Sequence, residues 1–178
     1  MILIGLGSNL TSEAYDTSQA VLRGALAKIA EKNIKIVKLS NFYHSEPVPK
    51  SDQPWYVNAV ARLETDHKPE ELLHILHAIE HEMGRLRRER WGSRIIDLDI
   101  LAYDNIILPS AQKWKDSFTE TENKQFILPH PRMHDRLFVL RPLMDVAPNW
   151  LHPIFHKTAE NLLAENRSSE VIHLMKEG

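Results

Sequence analysis

Residues 84–101 read GRLRRERWGSRIIDLDIL. The end of this stretch alternates, with Ile96, Leu98 and Ile100 on one side and Asp97 and Asp99 on the other. A period of two marks a strand with one buried face, and residues 94–103 read as that strand. Gly84 closes a helix that begins near Pro69 and carries an apolar stripe of Leu72, Ile75, Leu76, Ile79 and Met83. Proline is tolerated in a first helical turn, where its missing N–H would have no partner. Before this helix, residues 56–65 read as a strand, residues 46–54 as a loop with three prolines, and residues 34–43 as a strand with a bulge. A helix capped by Thr11 or Ser12 runs to Glu31, with Ala20, Val21, Ala25, Leu26 and Ile29 at helical spacing. Residues 2–6 form a buried strand that ends at the turn Gly7-Ser8-Asn9. The order β-α-β-β-α-β is the ferredoxin-like arrangement of the α+β class. It implies an antiparallel sheet with helices on both faces, three layers deep.

Past this frame, Asp104-Asn105 make a turn, and the polar residues 110–124 read as a long loop or insertion. Residues 138–146 look partly helical despite Pro142, and residues 158–165 form a short helix. A chain of 178 residues is read as one domain, residues 1–178. The absence of cysteine excludes disulfides, thiolate zinc sites and cysteine nucleophiles, and fits a reducing compartment. A formal net charge of -2 argues against nucleic acid or a membrane surface as partner. The opening MILIGLGSNL lacks a basic leader and a long apolar run. The expectation is a soluble, cytoplasmic monomer.

Arg85, Arg87, Arg88, Arg90 and Arg94 stand directly before Asp97 and Asp99. Guanidinium groups hold phosphate oxygens through paired planar donors, and paired carboxylates hold a hard cation such as Mg²⁺. Together they suit a nucleoside triphosphate. Asp97 and Asp99 could instead be the solvent face of a strand with Arg94 as partner; the arginine run before them favours a metal. Arg88 and Arg90 read as surface residues. The segment Gly5-Leu6-Gly7-Ser8-Asn9 lacks the third glycine of a dinucleotide fingerprint, and no phosphate-binding G-x-x-x-x-G-K-[ST] loop occurs. His74, His77 and His81 lie on the flank of a helix away from its apolar stripe. His130 and His134 have a zinc-like i,i+4 spacing, but Pro131 breaks a regular helix there, so zinc is not expected. His130 fits better as a phosphate donor near Arg132 and Arg136. Tyr56, Trp91 and Phe138 suit a flat aromatic ligand. Asn58, on the face of Tyr56, can donate and accept toward an amino-pyrimidinone edge.

These residues resemble the 6-hydroxymethyl-7,8-dihydropterin pyrophosphokinases, enzymes of folate biosynthesis. The motifs are GLGSNL (5–10), SEPV (45–48), DQPWYVNAV (52–60), GRLRRERWGSRIIDLDIL (84–101) and LPHPRMHDRLFVLRPL (128–143). The resemblance implies transfer of pyrophosphate from ATP to a pterin alcohol, with attack at the β-phosphorus and AMP as leaving group. It implies that Asp97 and Asp99 bind two Mg²⁺ and that Arg85 and Arg94 join them in catalysis. Arg85, Arg87, Arg94, His130 and Arg136 would hold the triphosphate, and Leu73, His77, Glu80, Ile100 and Ile127 would surround the nucleotide. Tyr56, Asn58, Trp91 and Phe138 would bind the pterin, with the backbone of Ser45, Glu46 and Val48. Loops at residues 46–53 and 85–91 would close over both substrates. The chain departs from the family at Ser93 and Glu46, where proline is common, in a slightly shorter segment between Arg87 and Trp91, and in a longer stretch at residues 110–126.

Two other functions compete. An RNA-binding ferredoxin-like module would use the arginine run, but carboxylates repel a phosphate backbone unless a metal intervenes. Another transferase with a D-x-D metal site would not need Tyr56, Asn58 and Trp91, which suit a flat heterocycle rather than a sugar.

Overall fold

The computed structural model describes residues 1–84, 95–118 and 125–176. Its centre is β1 (Ile2–Ser8), flanked by β5 (Asp97–Tyr103) and β4 (Tyr56–Glu64). The sheet continues through β3 (Tyr43–Ser45) to β6 (Ile172–Leu174), and β2 (Lys35–Leu39) pairs with β4 beside β3. Every ladder between neighbours is antiparallel. This is the strand order of the ferredoxin-like arrangement, with its second strand in two pieces.

The alternation of β1 sorts the two helical layers. Ile2, Ile4 and Leu6 join Leu98 and Ile100 in a core under α1 (Ser18–Glu31) and α2 (Pro69–Glu82). Leu3 joins Val60 and Leu101 under α4 (Leu137–Val146) and α5 (Ala159–Glu165). Gly5 and Gly7 fall on this second face. A Cβ on Gly5 would lie 3.4 Å from Leu101, and one on Gly7 would lie 3.4 Å from Asn58 Oδ1. The missing side chains leave a trough between the sheet and the start of α4.

α2 matches its expectation, and Gly84 follows it at φ 87°, a left-handed conformation that favours glycine. α1 starts later than Thr11 or Ser12. Thr17 caps it, its Oγ1 accepting from Ala20 N at 3.1 Å. Ser12 and Tyr15 instead exchange backbone hydrogen bonds, and the Tyr15 ring lies where a Cβ on Gly24 would stand. The strand expected at residues 34–43 carries its bulge between Ile36 and Lys38 and then breaks at Ser40. Ser40 Oγ accepts from Val60 N at 2.9 Å, so a side chain takes over a ladder position.

The expected loop at residues 110–124 contains α3 (Ala111–Asp116), capped by Ser110. Its Trp114 is 1% exposed and donates from Nε1 to Pro129 O at 2.7 Å. One buried indole with its N–H satisfied anchors an otherwise polar segment. α4 runs through Pro142, because Val139, Leu140, Leu143 and Val146 are buried against the sheet. β6 has no counterpart in the sequence expectations. It holds to β3 through its backbone and keeps His173 and Leu174 exposed.

Candidate active site

The register of the sheet assembles the polar residues. Gly7 stands opposite Asp97, and Gly5 opposite Asp99. On its other side Gly7 faces Asn58, which in turn faces Tyr43. One row across the sheet therefore runs Asp97, Gly7, Asn58, Tyr43. Asp97 and Asp99 are half-buried on the face toward α4, as their alternation with Leu98 requires. They line a small cavity of about 50 Å³ with Gly5, Gly7, Asn58, His130, Arg136 and Phe138.

The strand holding the aspartates is braced from the opposite side. Glu80 of α2 is 1% exposed, and its carboxylate accepts from Leu98 N at 2.7 Å. The bonded amide lies between Asp97 and Asp99, so a buried charge-assisted hydrogen bond fixes the segment that presents them. Glu80, which the resemblance associates with the nucleotide, is thus also a buried brace for β5.

His130 comes from the segment before α4. Its N–H donates to Leu101 O at 2.8 Å, and its Nδ1 accepts from Arg132 N at 3.2 Å. The ring proton therefore resides on Nε2. Burial first, then the Arg136 charge, pushes the His130 pKa down to about 3. His130 is a neutral hydrogen-bond donor. Arg136 stands at the N-cap of α4, where burial lowers its pKa while Asp99 and Asp97 favour its charge. Its guanidinium lies 5.4 Å from the Phe138 ring centroid.

A second cavity of about 250 Å³ shares Asn58, Arg136 and Phe138 with the first. Its remaining walls include Tyr56 from β4 and Ser45, Glu46 and Val48 from the end of β3 and the loop beyond. Asn58 is 5% exposed and donates from Nδ2 to Ser45 Oγ at 2.9 Å. Asn9 donates to Gln53 Oε1 and to Pro54 O, both at 3.2 Å, and so pins the far end of the loop. Sequence reasoning gave Asn9 and Gln53 no role. The only signal was their place inside the GLGSNL and DQPWYVNAV motifs.

Six of the seven residues expected around a pterin, Ser45, Glu46, Val48, Tyr56, Asn58 and Phe138, thus meet in one cavity. Asp97, Asp99, His130 and Arg136 meet in the adjoining one. Leu73, His77, Glu80, Ile100 and Ile127 line neither. Leu73 packs half-buried against the α1–α2 core, His77 is half-buried on α2, and Ile100 and Ile127 are buried. Arg85, Arg87, Arg88, Arg90, Trp91, Ser93 and Arg94 lie outside the described residues. Among the described residues no group of three or more His, Asp or Glu side chains could enclose a metal. Asp97 and Asp99 offer hard carboxylate oxygens suited to Mg²⁺ that keeps other ligands from phosphate or water.

The family model described as 7,8-dihydro-6-hydroxymethylpterin-pyrophosphokinase matches residues 3–148. A Haemophilus influenzae protein named 2-amino-4-hydroxy-6-hydroxymethyldihydropteridine pyrophosphokinase is 42% identical over 151 residues, covering 84% of this chain and 83% of that one. A Bacillus subtilis protein of the same name is 36% identical over 144 residues, covering 80% and 75%. Among solved structures, a Plasmodium falciparum HPPK-DHPS protein superposes with a TM-score of 0.68 at 16% identity. That match covers 92% of this chain and 45% of the other, and it speaks to the fold alone. The chain belongs to the 7,8-dihydro-6-hydroxymethylpterin pyrophosphokinase family.

Proposed function

We propose a division of labour among the residues for the reaction of this family, pyrophosphoryl transfer from ATP to 6-hydroxymethyl-7,8-dihydropterin in folate biosynthesis. The observation that carries it is the shared wall of Asn58, Arg136 and Phe138 between a pocket sized for a flat ring and the aspartate trough. The pterin occupies the larger cavity between Tyr56 and Phe138. One Asn58 Nδ2–H donates to Ser45 and fixes the amide, leaving its second N–H to donate and its Oδ1 to accept toward the pterin edge. The hydroxymethyl group then points past Arg136 toward Asp97 and Asp99.

The pterin hydroxyl oxygen forms a bond to the β-phosphorus and gives up its proton to solvent, the bond from that phosphorus to the α,β-bridging oxygen breaks, and AMP leaves with that oxygen. Asp97 and Asp99 would hold two Mg²⁺, which neutralise the triphosphate charge. Arg136 holds phosphate oxygens as a cation, and His130 donates from Nε2 without adding charge. Arg85, Arg87 and Arg94 complete the clamp, and Trp91 covers the pterin. Catalysis rests on positioning and charge neutralisation rather than on a strong base. The working unit is one domain spanning residues 1–178, acting as a cytoplasmic monomer without nucleic-acid or membrane partners.

Product analysis tests the reading. Incubation with ATP, Mg²⁺ and 6-hydroxymethyl-7,8-dihydropterin should yield AMP only when the pterin is present. ADP in place of AMP would mean attack at the γ-phosphorus and would overturn it.

A further inference from the structure

Residues 166–176 lie across one edge of the molecule and touch both walls of the larger cavity. On the β3 side, Ser45 pairs with Ile172 in the β3–β6 ladder. Glu46 N donates to Val171 O at 3.2 Å, and Glu46 Oε1 accepts from Val171 N at 3.3 Å. On the α4 side, the carboxylate of Glu170 accepts from Leu137 N at 2.7 Å. Leu137 is the first residue of α4 and lies between Arg136 and Phe138, two of the three residues both cavities share. Asn166 Nδ2 adds a bond to Asp135 O at 3.0 Å, directly before Arg136. Glu170 and Val171 are neighbours in sequence, so one short piece of backbone sets the distance between Glu46 and Phe138.

The chemistry suits this task. Arg136, at the N-cap of α4, makes no side-chain cap hydrogen bond. A carboxylate supplied from elsewhere can satisfy an amide of the first turn and complement the positive end of the helix. The Arg136 side chain has no acceptor with which to cap the helix itself, and the Glu170 charge also favours the Arg136 cation. Glu170 is itself held by its own N–H, which donates to Ser168 Oγ at 3.2 Å. Glu46 uses both its backbone N–H and its carboxylate on Val171.

We propose that Glu170 is a positioning residue for pterin binding, acting through the Leu137 amide to hold Arg136 and Phe138 at a fixed spacing from the Ser45–Glu46 wall. The inference rests on the pterin reading above. It is tested with the full chain and three variants, Glu170→Ala, Glu170→Gln and the control Glu165→Ala on the outer part of α5. Glu170→Ala should weaken 6-hydroxymethyl-7,8-dihydropterin binding in calorimetry about fivefold, the effect of losing one capping acceptor. Glu170→Gln retains an acceptor oxygen and should stay within about twofold of wild type. Glu165→Ala should bind as wild type does. Hydrogen exchange in the ligand-free protein should quicken in Glu170→Ala at residues 45–48 and 136–139 together. Unchanged pterin affinity in Glu170→Ala, or exchange that quickens only at residues 168–172, would overturn the proposal. Failure of the wild-type chain to bind the pterin would defeat the functional reading instead, and the exchange measurement would still decide the role of Glu170.

Discussion

His130 and His134 are four residues apart on one segment, and the structure puts them in opposite kinds of place. His130 reaches the aspartate trough beside Arg136. His134 lies among Trp114, Phe118 and Phe155, with ring centroids 5.8, 5.7 and 4.6 Å away. His152 joins that second group, its ring 6.0 Å from His134. The tautomers are set locally in both regions. His130 Nδ1 accepts from Arg132 N, and His152 Nδ1 accepts from Ile154 N and Phe155 N. Only in the trough does the remaining N–H sit where a phosphate could take it. Among aromatic rings the same side chain is filling, and burial pushes the His152 pKa down to about 4. Identical chemistry acquires a function from what shares its cavity, not from its spacing. Between the two histidines the chain turns, with Met133 N donating to His130 O at 3.2 Å.

The comparison is most exposed at the aspartates. Asp97→Ala or Asp99→Ala should reduce pterin-dependent AMP formation by about 10²–10³-fold or more. The melting temperature should hold or rise, since two carboxylates on one face repel each other. Normal turnover in either variant would remove the trough from the chemistry. Trp114→Ala should do the reverse. It should lower stability by about 3–5 kcal/mol, as for other buried aromatic truncations. Urea unfolding would show the loss, and kcat of the folded fraction should be little changed.

The two histidines allow a closer test. His130→Ala should raise KM for ATP about tenfold at unchanged stability, the scale of one lost hydrogen bond to a charged group. His134→Ala should lower the urea midpoint and leave KM alone. If both variants behaved alike, the division between the regions would fail. The smallest effect concerns pH. His152 is neutral in the fold with a pKa of about 4, against about 6.5 when unfolded. As pH falls from about 6.5 toward 4 the unfolded chain takes up the proton first, so this contribution to stability is complete above 6.5 and shrinks below it. Asp135 is beside His134 at 3.1 Å and pulls the other way there. His156 and Lys157 add positive charge on the same side when protonated. An NMR titration should show the His152 ring still neutral at pH 5. A midpoint near 6.5 would mean that the cluster does not exclude the proton.

Elements with a complete local signature are legible in the sequence alone. α2 has its stripe and Gly84, and β5 alternates from Asp97 to Ile100 before its register against β1 shifts. Apart from the start of α1, which Thr17 and the Ser12–Tyr15 pair set locally, the misses turn on partners distant in sequence. Ser40 breaks a strand because Val60 N meets its hydroxyl, and α3 forms because Trp114 reaches Pro129 O. β6 exists because β3 offers a free edge, and its three residues carry no periodic pattern of their own. The site shows the same division. Tyr56 and Asn58 share one face through the period of a strand, whereas the bond from Leu98 N to Glu80 joins residues of two separate elements and has no local signature.

The sequence by itself determined the β-α-β-β-α-β order, the aspartate face of β5 and the family. These follow from periodicity and short motifs, which need no knowledge of distant contacts. Tertiary structure alone decided that Gly5 and Gly7 floor the trough, that Asn58, Arg136 and Phe138 divide two cavities, and that Glu170 joins the walls of one. Each depends on strand register or on a hydrogen bond between segments far apart in the chain, and no local pattern encodes which partner a backbone amide will find.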